Sequence, residues 1–172
     1  QIPRVPCVRT FPVQEQDGWI WVYIGNDRCP LPASPPPKLP EPSDGSRMSM
    51  LRLSLPVKAR NDLAVDSFVD PAHVPFVHNR FFRQRHVAKL KSKEFTRLPL
   101  GFRTVSENMQ LPDTFLFRLL TPSLGRARTT VDFLLPGIHI EDMEEGNRFG
   151  TIMAVMTPRT AETTRIHLTL GW

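Results

Sequence analysis

Cysteine is scarce in this sequence: Cys7 and Cys29 are the only two. Neither sits in a C-x-x-C or C-x-H pair, so the chain has no zinc or iron–sulfur spacing of its own. Two cysteines can bridge, but no other feature points to secretion, and two reduced thiols are expected. Long apolar runs are missing too. No stretch approaches the roughly 20 residues needed to cross a bilayer. The start, Gln1-Ile-Pro-Arg-Val-Pro6, has no charged region followed by an apolar one, which argues against a secretory leader. Charge is also not concentrated. Lys and Arg total 22 against 17 acidic residues, yet no block of one sign forms. The densest basic stretch holds Arg80, Arg83, Arg85, Lys89, Lys91 and Lys93. It reads as a solvated face. Nucleic acid, an acidic protein or a carboxylated substrate are the alternatives, and nucleic acid is not expected as a partner. Together these absences suggest a cytoplasmic chain.

What is present is ample apolar content: 40% of 172 residues, enough for one packed domain. Val8–Val13 reads as a strand with an edge proline, Gln14–Gly18 as a turn and Trp19–Ile24 as a β-branched and aromatic strand. Prolines then cluster at 30, 32, 35, 36, 37, 40 and 42, so residues 26–47 read as an extended linker. Residues 1–25 and 48–172 are therefore expected to be separate structural units.

Residues 48–57 alternate as a strand does. Over 60–72 the period changes: Leu63, Val65, Phe68, Val69 and Ala72 fall near helical spacing, with Asn61 or Asp62 as N-cap and Pro75 as the stop. Residues 81–96 are ambiguous between strand and loop. Beyond them come short β segments at 101–108, 114–120, 128–134, 138–141, 149–157 and 163–170, with turns at 111–113, 122–125, 144–147 and 158–160. The expected fold class is α+β: a curved antiparallel sheet with a helix that carries ligands.

The segment with chemistry in it is Asp70-Pro-Ala-His73-Val-Pro-Phe-Val-His78. Asp70 and His73 are three apart and would share a helix face. His73 and His78 are five apart, and on one continuous helix they would diverge by about 140°. Pro75 breaks the helix between them and lets both rings approach one ion. Two imidazoles and a carboxylate on one side of Fe(II) leave positions open for dioxygen and substrate. Asp70 and Asp66 can hold the rings in place. Two histidines near a proline are also compatible with ordinary polar surface. His86, His139 and His167 stand alone and read as structural.

This segment resembles the mononuclear iron motif of the Rieske-type non-haem iron oxygenases, in the group that contains pheophorbide a oxygenase. Phe11–Gly25 resembles the strand pair that closes the Rieske domain in that group, and Thr130–Gly137, Met156–Pro158 and Thr164-Arg165 resemble strands of its catalytic domain. The resemblance implies a helix-grip fold of the START-like type, with residues 1–25 ending the Rieske domain, 26–47 a proline-rich linker and 48–172 a partial catalytic domain. It implies His73 and His78 as iron ligands. Asp70 would be the bridging carboxylate toward a cluster histidine, usually across a subunit boundary of a homotrimer. The cofactors implied are mononuclear Fe(II) and a [2Fe–2S] Rieske cluster. The partners implied are dioxygen, an aromatic or tetrapyrrole substrate, and a ferredoxin or reductase.

The family's cluster motifs are absent and would lie before Gln1. Its third iron ligand, an aspartate, would lie beyond Trp172, as would any membrane-attaching segment. Ser67 stands where the group often has Asn. The chain thus reads as truncated at both ends and inactive alone. The alternatives are a non-catalytic domain that binds a hydrophobic ligand, lined by Phe68, Phe76, Phe81, Phe82, Phe102, Phe115, Phe117 and Phe133, and a split half that completes its iron site with another polypeptide.

Overall fold

In a computed structural model, the described residues are 10–26, 28–70, 73–77, 94–110 and 126–172. The chain divides into two compact units, Gln1–Leu39 and Pro40–Trp172.

The first unit is built on a hairpin of β1 (Val13–Gln16) and β2 (Trp19–Val22). Its turn is shorter than the sequence suggested: only Asp17 and Gly18 lie outside the strands, with φ of 53° and 74°. Two positive φ values match the twist of the strands, and Asp-Gly adopts them at little cost. The hairpin also straps down the proline-rich segment. Prolines donate no N–H, so their carbonyls need side-chain donors. Gln16 Nε2 donates to the carbonyls of Pro36 and Pro37 at 3.0 and 2.8 Å. Asp17 Oδ2 accepts from the Leu39 amide at 2.9 Å.

The second unit begins with β3 (Met50–Val57), followed by α1 (Asn61–Val69) and a helical turn α2 (Val74–Val77). Then come β4 (Glu94–Leu98), β5 (Gly101–Gln110), β6 (Arg126–Leu134), β7 (Ile138–Glu145), β8 (Arg148–Thr160) and β9 (Thr163–Gly171). The seven strands form one antiparallel sheet in the order β3-β9-β8-β7-β6-β5-β4. Strands β4 to β9 are a simple meander. β3 joins its far edge by pairing with β9, Met50 opposite Gly171 and Val57 opposite Thr164. The segment from β3 to β4, which carries both helices, therefore leads from one edge of the sheet to the other.

The α+β helix-grip expectation is overturned. Among the described residues there are nine strands against one nine-residue helix and one four-residue turn, so the chain is essentially antiparallel β. The helical spacing over 60–72 is real, but proline truncates it. Asp70 precedes Pro71 and is extended, with φ −85° and ψ 98°, because a residue before proline is driven out of the helical region. The break therefore falls at Asp70, not at Val74–Pro75. Pro75 instead lies within α2, whose first turn needs no proline N–H. The N-cap also differs. Arg60 occupies it with no side-chain capping bond, and its guanidinium holds Asp62 through contacts of 3.1 and 2.7 Å. That pairing holds the Asp62 carboxyl below its usual range.

β5 to β9 each extend beyond the sequence reading. The Pro158-Arg-Thr stretch is not a turn but the end of β8, with a bulge between Pro158 and Thr160. β7 pairs β8 only as far as Val155, so Pro158 lies where the strand has lost a neighbour and a missing donor is tolerated. β4 was left ambiguous by its charged composition. The expected strand at 114–120 lies outside the described residues.

α1 packs on one face of the sheet. Ala64 meets Ala154 and Met156, with Val65, Phe68, Ile166 and Leu168 around them. The two alanines let the helix come close to β8. The β6–β7 turn comes close as well, because a Cβ on Gly137 would lie 2.9 Å from Val65 Cγ2. A hydrogen bond fixes the approach to α1: Thr164 Oγ1 donates to the Ala59 carbonyl at 2.9 Å. β7, the central strand, is buried on both faces at Ile138, His139 and Ile140.

Candidate functional site

Asp70 caps α1, its amide donating to the Asp66 carbonyl at 3.0 Å. His73 directly precedes α2, and its carbonyl accepts from the amides of Phe76 and Val77 at 3.0 and 2.7 Å. Asp70 and His73 do not share a helix face as the spacing suggested, because the helix has ended between them. They meet in another way, since His73 Nδ1 is in close contact with the Asp70 carbonyl oxygen. A carbonyl only accepts, so Nδ1 is the donor in this contact and carries a proton. This is how ligating histidines are usually fixed, with one nitrogen anchored to the protein and the other left for a metal. An imidazole nitrogen is a donor that first-row metals accept, so the chemistry of His73 is compatible with one.

His78 lies outside the described residues, directly after α2. The basic stretch from Arg80 to Lys93, and Phe81, Phe82, His86, Phe115 and Phe117, lie outside them as well. Among the described residues no three His, Cys, Asp or Glu side chains gather closely enough to hold a metal ion. Cys29 is an exposed free thiol in the first unit.

The floor beneath α1 holds His139, which the sequence reading took as structural. Through the strand pairs Phe102–Phe133 and Phe133–His139, these three side chains share the face that α1 covers. Phe102 stacks on Phe133 with centroids 5.6 Å apart, Phe133 meets His139 edge-on at 5.3 Å, and His139 contacts Phe68 of α1 at 5.5 Å. His139 is 8% exposed. Its Nε2 is 3.5 Å from Glu141 Oε2, and its Nδ1 is buried with no hydrogen-bond partner among the described residues. The signal for it was the strand alternation itself, which places His139 in register with the Phe133 row. Of the other phenylalanines proposed as a lining, Phe76 is 54% exposed. His167 does sit structurally, on the opposite face, its Nδ1 3.3 Å from Ser54 Oγ. Burial, then the neighbouring Arg165 charge, hold it below the usual histidine range.

The profile of the vanillate O-demethylase oxygenase C-terminal domain matches residues 57–171. The chain belongs to this family. Chlorophyllide a oxygenase of Oryza sativa subsp. japonica is 36% identical over 75 residues, 44% of this chain and 13% of that protein. The vanillate O-demethylase oxygenase subunit of Pseudomonas sp. (strain ATCC 19151) is 24% identical over 129 residues, covering 74% of this chain and 35% of that one. Among solved structures, dicamba monooxygenase bound to dicamba superposes with a TM-score of 0.72 at 17% identity, over 95% of this chain and 49% of that one. The chain thus spans less than half the length of these relatives. Membership in the vanillate O-demethylase oxygenase family agrees with the Rieske oxygenase resemblance of the 70–78 segment, and the antiparallel sheet fits the catalytic domain of such enzymes.

Proposed function

We propose that this chain forms the mononuclear-iron part of a terminal oxygenase that oxidises an aromatic or tetrapyrrole substrate with dioxygen. In this reading His73 and His78 ligate Fe(II), and Asp70 is the carboxylate that links them to a Rieske-cluster histidine. Electrons come from a ferredoxin or reductase through a [2Fe–2S] cluster carried elsewhere in the protein. Residues 1–25 are then the closing strands of the Rieske domain. The observation that carries the reading is the His73 ring, anchored through Nδ1 on the Asp70 carbonyl, within a chain of the vanillate O-demethylase oxygenase family. Dicamba monooxygenase has also been solved with non-haem iron.

The chain's own residues have definite tasks in this scheme. The extended Asp70 backbone turns the chain so that its carbonyl fixes the His73 tautomer. α2 is the segment that lies between the two histidines in sequence. The Phe68, Phe102 and Phe133 rings offer an apolar surface that excludes water from beside the centre. Iron, when bound, supplies the activation of dioxygen.

Metal analysis of the protein at its natural length tests this. One mononuclear iron per chain is expected beyond the cluster iron. His73→Ala and His78→Ala should each lose it while the cluster's visible spectrum remains. Asp70→Asn should keep the iron and slow its reduction by the cluster. Retention of stoichiometric mononuclear iron in both histidine variants would sink the proposal and favour a non-catalytic domain for apolar ligands.

A further inference from the structure

We infer that His139 is a substrate-recognising residue whose Nδ1 accepts a hydrogen bond from a hydroxyl or N–H group on the ring of an aromatic substrate. The inference rests on the proposed function, and it adds a specificity determinant that the iron motif does not contain.

A buried polar atom with no partner is costly, so a native structure that keeps one calls for a reason. His139 is 92% withdrawn from solvent by its 8% exposure, and Nδ1 is the orphan atom. The other nitrogen faces a carboxylate, Glu141 Oε2, at 3.5 Å. A carboxylate accepts and does not donate, so it favours the proton on Nε2. With that proton on Nε2, Nδ1 presents a lone pair, and a hydroxyl or N–H group is the partner this tautomer calls for.

The surroundings specify the rest of the ligand. Phe68 lies on one side of the imidazole and Phe133 on another, with Phe102 stacked behind Phe133 and Phe95 next to Phe102 at 5.9 Å. Such a row of rings prefers a planar apolar partner, offset-stacked or edge-on. The place in the fold is also apt. Phe68 belongs to the last turn of α1, two residues before Asp70, so a ligand against His139 lies beside the segment that hands the chain to His73. A site built to meet a donor rejects an isostere lacking it more strongly than a purely apolar pocket does.

Phenol and toluene, equal in shape and differing in the donor, are the probes. Each is titrated by calorimetry into the iron-loaded protein, wild type and His139→Leu, and followed by nitrogen NMR of histidine-labelled wild type. Wild type should bind both. Phenol, and not toluene, should shift the His139 Nδ1 resonance. His139→Leu should lose about tenfold in phenol affinity, equivalent to one net hydrogen bond, and hold or gain toluene affinity. Equal losses for the two probes, no binding of either to wild type, or an Nδ1 signal that phenol leaves unmoved would overturn the inference. The NMR reading stands even if His139→Leu folds poorly. Ferrous iron content is measured on the same samples. Normal iron with unequal probe loss supports His139, iron loss in His139→Leu leaves the wild-type NMR response to decide, and an iron-free wild type refutes the proposed function while the probe comparison still decides His139.

Discussion

Thr164 gives the cleanest measure of how firmly the site-bearing segment is held to its sheet. It is 1% exposed, and its hydroxyl donates to the Ala59 carbonyl at 2.9 Å. That bond joins β9 to the residue two places before α1. Thr164→Val keeps the shape and β-branching and removes the donor, so the packing contribution stays nearly constant. What is lost is one neutral hydrogen bond plus the desolvation of a half-buried acceptor, about 1–1.5 kcal/mol. For a chain of this size that lowers the melting temperature by roughly 2–4 °C. Thr164→Ser keeps the hydroxyl and removes a methyl, so it reads packing separately. Urea unfolding of the three proteins should place Thr164→Val below the wild type, with an unchanged slope. Iron affinity should fall in the valine variant too, because α1 would lose its fixed start. A valine variant as stable as the wild type, with full iron affinity, would show that the apolar contacts of Ala64, Val65 and Phe68 position α1 by themselves.

Three further outcomes are expected. Gly101→Ala would place a Cβ 1.7 Å from the Phe133 carbonyl oxygen, so the β5–β6 ladder must open at that end, costing about 2–3 kcal/mol in chemical unfolding. Met153→Ala, at a side chain only 1% exposed, should cost about 2–5 kcal/mol by the same assay and more than any exposed leucine of β3. Asp142 has its pKa raised by burial and then by Glu144, so its charged form is disfavoured in the fold. Its contribution to stability is full below the unfolded value of 3.8 and is lost as pH rises through the folded value. Asp142→Asn should therefore stabilise the protein near neutral pH and lose that advantage in acid, and an advantage independent of pH would contradict this account.

Much of the sheet was legible because each strand alternates and one face is apolar. Met50–Val57 announces itself in this way, and Trp19–Val22 does so by its β-branched and aromatic run. Strand ends were harder to read. A Pro-Arg-Thr cluster looks like a turn in sequence, and only the loss of β7 as a neighbour explains why Pro158 can stay in a strand. The fold class was misjudged because the helical period over 60–72 was given more weight than Pro71, which ends α1 after nine residues. At the site, His73 was nominated from spacing and family resemblance, and the shared helix face with Asp70 offered for it is not realised, because α1 ends at Val69. His139 was read as structural because a lone histidine in a strand carries no local motif. Its neighbours are Phe133 and Phe68, brought there by pairing across strands and by packing of a helix from far upstream.

The order of the sheet also sets a timetable. Each strand from β4 to β9 can zip to the one just made, but β3 must wait for β9, about 120 residues later. At synthesis rates of roughly 5–20 residues per second, that wait is on the order of ten seconds. Throughout it Leu51, Leu53 and Leu55 have no strand to lie against, and even in the finished structure they remain 44, 39 and 47% exposed. An alternating apolar strand left open this long is a template for pairing with another nascent chain. The yield of folded protein should therefore depend on chaperone supply and on translation speed between β3 and β9, and charged substitutions at Leu51 or Leu53 should relieve that dependence at some cost in final stability.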